Sequence, residues 1–287
     1  WWSAAPGLFC VFGVSLGVML PSMTDDLNIS PMQAGILGSA FFVGSASTSL
    51  PASIWISRYS PKKVTALALL AASALVIFQG WSPAFIWLLA GRFLFQLAIV
   101  ARMVAETIII QQWFDTKRVA LVVSLTIGIF SAGQLMALTL VPVLIRWLDG
   151  WRNVYYLFGL LLIFASIFWW YVAKDKNIEN LSGSSEDYTS SSPVKILKER
   201  KIVWVIALAP AGAASAFASV MTFWPTFALE TLDLSLERVG ALLSLFTLGG
   251  MAASFLGGPL SNWIKQRRIF IWGPGILLPV IYVVLFN

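Results

Sequence analysis

Histidine is absent from this 287-residue sequence, and cysteine occurs once, at Cys10. Without a cysteine pair there is no disulfide framework, and without histidine the common ligand sets for zinc and haem are missing. Charge is scarce too: Asp, Glu, Lys and Arg make up only 11% of the chain, against about 25% in an ordinary soluble domain. A water-soluble globule needs more polar surface than that. Apolar residues account for 59%, and at about 20 residues per crossing of a ~30 Å hydrocarbon layer this stock suits eight or nine membrane spans.

Apolar stretches near 4–22, 34–56, 64–80, 85–113, 119–145, 153–173, 202–229, 238–263 and 268–286 predict nine transmembrane helices. A membrane β-barrel would show alternating segments of about ten residues, whereas a run such as Val64 to Gly80 is apolar on every face. The fold class expected is therefore an all-α polytopic membrane protein. One extended polar segment, 174–201, carries the serine-rich run from Ser182 to Pro193 and reads as a cytoplasmic linker. It divides a six-helix first half, 1–173, from the first three helices of a second half, 202–287.

Charge distribution orients the bundle. Of the nineteen basic residues, fourteen fall in the loops after spans two, four, six and eight, and three, Arg146, Arg152 and Arg238, fall in the opposite loops. The positive-inside rule places the first set, the linker and the N-terminal side in the cytoplasm. The net charge of +6 is thus a topology signal and not a nucleic-acid footprint. Lipid bilayer is the expected surrounding, in an inner (cytoplasmic) membrane.

An internal repeat organises the spans. A shift of 205 residues superimposes Ser30 on Ser235, Gly35 on Gly240, Ser39 on Ser244, Phe41 on Phe246, Gly44 on Gly249, and Lys62-Lys63 on Arg267-Arg268, with no gap. Both copies run from outside to cytoplasm, so the repeats are parallel. Six spans plus three then predict nine of twelve helices. The chain also opens on Trp1, directly before apolar sequence, and the natural start is expected upstream.

Four local patterns, in order, resemble the major facilitator superfamily of secondary transporters, and the resemblance covers essentially the whole chain. After span one, Asp25-Asp26-Leu27-Asn28-Ile29-Ser30-Pro31 is similar to that family's outer loop, with Ser30 placed to cap the second helix and Pro31 at its first position. Ser53-Ile54-Trp55-Ile56-Ser57-Arg58-Tyr59-Ser60-Pro61-Lys62-Lys63 resembles a degraded Gly-x-Leu-x-Asp-Arg-x-Gly-Arg-Lys loop, with Ser57 at the acidic position. Its repeat mate runs from Gly258 to Arg267 and has Asn262 for the acid. The resemblance implies a conformational switch at Ser57, Arg58, Lys62, Asn262 and Arg267, and the missing carboxylates make any latch there neutral. Gly91-Arg92 through Trp113-Phe114 to Lys117-Arg118 resembles the family's arginine-bearing fourth helix, and Gly150-Trp151-Arg152 resembles the start of its sixth. The glycine-proline motif of drug/proton antiporters is absent from span five.

Charge inside hydrocarbon costs about 2.5–3.5 kcal/mol per residue at a helix centre even on the lenient insertion scale, so it marks function by default. Three such residues occur, all in span four: Arg92, Arg102 and Glu106. At 100° per residue they share one 80° sector, which is expected to face the bundle interior. One reading has Arg102 and Glu106 simply neutralising each other at i,i+4. The other puts Arg102 near the midplane against an anionic substrate, with Glu106 as proton acceptor or as competitor for Arg102. Arg92 matches a family position implicated in coupling, and a fold-maintaining role is equally open. Softer cavity candidates are Gln134, Ser215, Ser219, Thr222, Phe223, Trp224, Ser244 and Thr247, although hydroxyls in spans commonly bond their own backbone. Glycine- and alanine-rich faces at Gly35, Gly38 and Gly44, and at Gly249 and Gly250, are expected at close helix contacts.

The function expected is transport of a small solute, an anion by the excess of two arginines over one glutamate, by alternating access in a monomer, with protons as the coupling ion and no cofactor or metal. Drug or metabolite efflux by the same fold, or a non-transporting membrane sensor, are the alternatives. A retinal protein is disfavoured because no span contains a lysine for a Schiff base. A membrane enzyme is disfavoured by the lack of histidine, cysteine pairs and carboxylate clusters.

Overall fold

The computed structural model describes residues 4–56, 58–174, 211–264 and 283. Among these, all regular structure is helical: α1 Ala4–Leu27, α2 Pro31–Ile56, α3 Pro61–Trp81, α4 Phe85–Trp113, α5 Thr116–Trp147, α6 Trp151–Val172, α7 Ala211–Glu230 and α8 Leu236–Ile264. Four segments are long and apolar enough to cross a membrane on those criteria alone: Pro61–Trp81, Phe85–Trp113, Leu125–Trp147 and Trp151–Val172. In α2 the apolar residues are diluted by six Ser and Thr residues between Ser39 and Ser53. The polar segment after Lys174, and all of the ninth expected helix except Val283, lie outside the described residues.

The first expected loop is shorter than its sequence suggests. Rather than ending near residue 22, α1 continues through Asp25 and Asp26 to Leu27. The tight turn that follows is made by Asn28 at φ 49°, a left-handed conformation that Asn and Asp tolerate better than most residues. Exactly the same device recurs one repeat later, at Asp233 with φ 49°.

The helix starts also repeat. Ser30 Oγ accepts from the Gln33 amide at 3.3 Å, and Ser235 Oγ from the Arg238 amide at 3.4 Å. α2 and α8 therefore begin at residues 31 and 236 with equivalent caps. Each cap satisfies an amide that the first helical turn leaves without a partner.

Packing is built on small residues. α3 buries Ala66, Ala68, Ala72 and Ser73, which lets it lie close to α6 along its length. Hydrogen bonds cross that contact along its length, among them Ser73 Oγ to the Gly159 carbonyl at 2.9 Å, Ser166 Oγ to the Ala66 carbonyl at 2.9 Å, and Trp169 Nε1 to the Lys62 carbonyl at 3.2 Å. α3 also packs on α4, α1 on α5, α2 on α4, α5 on α8 and α1 on α7. Phe12 of α1 sits among them, edge-on to Phe95 of α4 at 4.5 Å and to Tyr155 of α6 at 4.9 Å. A single buried core draws side chains from all eight helices.

At Gly159 an added Cβ would run into Ile77 Cγ1 and lie 3.1 Å from Ile77 Cδ1. Gly159→Ala is expected to destabilise the bundle by about 1–3 kcal/mol, read as a lower unfolding midpoint in detergent, with Gly35→Ala, which meets no atom within 4 Å, as the control.

Candidate functional site

The two ends of the bundle differ in chemistry, and the site lies between them. At one end Arg152 ties three helices together. Its Nε and Nη2 hold Asp26 Oδ2 at 3.1 and 2.9 Å, and its Nη1 donates to the Gly80 and Ser82 carbonyls at 3.2 and 2.7 Å. Trp151 Nε1 donates to the same Asp26 oxygen at 3.1 Å, and the guanidinium lies 4.6 Å over the Trp151 ring. The ends of α1, α3 and α6 are thereby joined. At the other end lie Arg58, Lys62 and Lys63. We refer to these as the Asp26 end and the Lys62 end.

Along α4, measured from Phe85, Arg92 lies about 10 Å in, Arg102 about 25 Å and Glu106 about 31 Å. Arg102 is buried and its Nη1 contacts Glu106 Oε2 at 2.5 Å, with both side chains nearly inaccessible. The i,i+4 spacing puts the carboxylate one turn along the same face, so the pair forms within one helix. Glu106 Oε1 is buried without a hydrogen-bond partner. The pair thus retains an acceptor directed into the protein.

Arg92 is placed differently. Its Nη2 donates to the Gly13 carbonyl of α1 at 3.0 Å, and its guanidinium lies 5.9 Å over the Phe12 ring. Arg92 Nε and Nη1 have no hydrogen-bond partner, and neither does the buried Tyr155 hydroxyl. A second polar link joins α4 to α2, where Gln96 Nε2 donates to Ser45 Oγ. A Cβ at Gly44 would lie 3.0 Å from Gln96 Cβ and Cγ. Gln96 was not among the expected site residues, although its place four residues after Arg92, on the same face, is the signal that points to it.

Of the remaining expected residues, Gln134 is buried in α5 with its Nε2 unpartnered. Trp224 is partly buried against the core, six residues from the end of α7 and so about 9 Å from the Asp26 end. Ser219, Ser244 and Thr247 each bond a carbonyl of their own helix, at 2.9, 2.7 and 2.9 Å. For the switch loops, Arg58 is exposed and Lys62 half-buried. Asn262 falls within α8, while Ser57 and Arg267 lie outside the described residues. Ser60, in the place of a motif glycine, caps α3 by accepting from the Lys63 amide at 3.3 Å.

Helices of the two repeats meet on the Asp26 side of the middle. A Cβ at Gly17 would collide with the Met221 carbonyl oxygen, and one at Gly240 with the Leu138 carbonyl oxygen. A Cβ at Gly38 would lie 3.0 Å from Thr222 Cγ2. Nearer the end, Arg146 of α5 pairs with Glu237 of α8 at 2.9 Å. Gly249 and Gly250, expected at close contacts, lie further toward the Lys62 end of α8, and a Cβ added at either would meet no atom within 4 Å among the described residues. Gly35 is likewise open. A small-residue face permits close approach, and which faces use it depends on where the crossings fall.

The model of the Major Facilitator Superfamily matches residues 5–286. The chain is 26% identical over 274 residues to "Sodium-dependent phosphate transport protein 1" of Rattus norvegicus, covering 87% of this chain and 59% of that protein. It is 22% identical over 287 residues to "Probable galactarate/D-glucarate transporter GudP" of Escherichia coli K12, covering 88% and 62%. The chain thus spans about three fifths of the length of these relatives. Its fold is similar to that of a bacterial homolog of the human lysosomal transporter Spinster, solved in an inward-facing, occupied conformation, with a TM-score of 0.73 at 21% identity over 93% of this chain and 61% of that one.

Removing one member of a buried ion pair strands the other charge. Glu106→Gln is expected to cost about 3–5 kcal/mol, and the double variant Arg102→Met/Glu106→Met less than that single change. Unfolding midpoints of the three proteins in the same detergent check the order.

Proposed function

The chain belongs to the major facilitator superfamily, and on that premise we propose that it works as a secondary transporter of a small anionic solute, by alternating access and coupled to protons. The observation that carries the reading is the charge balance in the interior. Two guanidinium groups, Arg92 and Arg102, are buried at span depth against one carboxylate, Glu106. Such a balance favours a ligand that brings negative charge. The names of the two relatives above, a phosphate transport protein and a galactarate/D-glucarate transporter, point to the same class.

In this reading an anionic group of the solute displaces Glu106 from Arg102. A carboxylate or phosphate oxygen takes the guanidinium donors, and the released Glu106 accepts a proton. When the solute leaves, Glu106 gives up its proton and returns to Arg102. Arg92 holds α4 to α1 through the Gly13 carbonyl, and Gln134 and Trp224 belong to helices that would flank the pathway. Residues 1–173 form one half, 174–201 the cytoplasmic connection, and 202–287 the opening helices of the second half. The Asp26 end is the outer end, consistent with the excess of basic residues at the other.

Support for alternating access comes from the unequal contact between the halves. Among the described residues, the crossings at Gly17, Gly38 and Gly240 and the Arg146–Glu237 pair lie toward the Asp26 end. Contact on that side supports a carrier closed outside. The reading of Arg102 and Glu106 as a purely structural pair draws on their contact within one helix and their low exposure.

Proteoliposomes carrying the protein, tested with phosphate, glucarate and other small anions with and without a pH gradient, separate these readings. Arg102→Ala is expected to lower uptake at least tenfold, and Glu106→Gln to keep exchange while losing the response to the gradient. Parent-like uptake by both variants overturns the site assignment; no uptake of any anion by the parent overturns anion transport. Independently, joining Arg146→Cys and Glu237→Cys with a reducible thiol-reactive cross-linker, in a Cys10→Ser background, is expected to arrest uptake, with recovery on reduction.

A further inference from the structure

Prolines lie inside α1, α5 and α7, at Pro21, Pro142 and Pro225. Proline has no N–H, so the carbonyl four residues before it loses its intrahelical donor. For Pro225 that carbonyl is the one of Met221, and for Pro142 the one of Leu138. Glycines of the opposite repeat meet these same two carbonyls. A Cβ at Gly17 of α1 would collide with the Met221 oxygen, and one at Gly240 of α8 with the Leu138 oxygen. In glycine the direction of that Cβ is a Cα–H bond, so a hydrogen points at each oxygen. Gly17 itself stands four residues before Pro21, and both helices of the α1–α7 crossing therefore carry a carbonyl that a proline has relieved.

Contacts inside the first half are built differently. A Cβ at Gly159 would lie 3.4 Å from the Ser73 carbonyl oxygen, and one at Gly80 3.2 Å from the Arg152 carbonyl oxygen. Four residues further on stand Ile77 and Tyr156, both within their helices and both with an amide to donate. Glycine thus meets carbonyl oxygen in both settings, and among the described residues proline marks the two crossings between the repeats. A carbonyl without its intrahelical donor is costly in hydrocarbon and is satisfied from a neighbouring helix. A glycine Cα–H is the donor that a close helix crossing offers. That donor is present only while the two repeats touch.

We propose that Pro142 and Pro225 form a closure device, each freeing a carbonyl whose substitute donor, the Cα–H of Gly240 or of Gly17, comes from the other repeat. The freed carbonyls thereby favour the state in which the repeats meet toward the Asp26 end. Replacing either proline with alanine returns an amide donor to the carbonyl within its own helix, and the contact across the repeats then gains less. The device rests on the alternating-access reading and deepens it. It uses none of the charged groups of α4.

The test is a distance measurement by double electron–electron resonance on the protein in lipid nanodiscs, with spin labels at Ile86→Cys and Leu232→Cys in a Cys10→Ser background. Ile86, at the start of α4, and Leu232, just after α7, are exposed at the Asp26 end, one on each repeat. Pro142→Ala/Pro225→Ala is expected to raise the longer-distance population about threefold or more over the parent. Each single variant is expected to raise it less, and the singles carry the test if the double variant does not fold. Pro51→Ala, which acts on the Ser47 carbonyl of α2, nine residues past the Gly38 crossing, is expected to match the parent. An unchanged distribution in the Pro142 and Pro225 variants, a shift toward the shorter distance, or an equal rise in Pro51→Ala overturns the proposal. Because distance and not uptake is read, a parent that carries no anion overturns the substrate reading alone.

Discussion

Hydrocarbon supplies no water to complete a hydrogen bond, so each charged or polar group in the bundle interior must find its partners within the protein. Most of the described architecture answers that demand. Arg102 meets Glu106 one turn along its own helix. Arg92 is ion-paired with no carboxylate among the described residues and reaches across to a backbone carbonyl of α1. Ser73 and Ser166 bond across the α3–α6 contact where hydroxyls more commonly bond their own helix. Each solution also joins elements, and so the polar groups that are costly to bury become the groups that set helix positions.

Close backbone approach is the second requirement. Between apolar helices in lipid there is little hydrophobic drive, and packing depends on small residues that let backbones touch. α3 meets this with its buried alanines and Ser73. The contacts between the repeats meet it with single glycines, Gly17 against α7 and Gly240 against α5. Among the described residues these crossings lie toward the Asp26 end, where single glycines set the helix spacing.

The local signals were the legible ones. Ser30 and Ser235, 205 residues apart, read as helix caps in the sequence and are caps in the structure. The intramembrane charges could be named because so few occur, and the i,i+4 spacing of Arg102 and Glu106 already brought them together. Partners distant in sequence were not legible. Asp26 reads as a loop residue, yet it ends α1 and takes Arg152 and Trp151, which lie more than a hundred positions away. Nothing in a pattern of neighbours encodes that pairing. For the same reason Gly44 and Gly249 look equivalent in sequence, although a Cβ at one would press on Gln96 of α4 and a Cβ at the other would meet no atom within 4 Å among the described residues.

By itself the sequence determined the environment and its repeat. Scarce charge and long apolar runs require a membrane, and a 205-residue shift in caps, glycines and basic doublets requires two related units. These are one-dimensional properties, because hydropathy, capping and chirality act within a few residues of each other. The tertiary structure alone decided which glycines lie at crossings, that Arg92 is anchored to the Gly13 carbonyl, and that Asp26 meets Arg152 and Trp151. Those outcomes depend on the depth and angle at which helices cross, which follow from the whole set of contacts and not from any local run of residues.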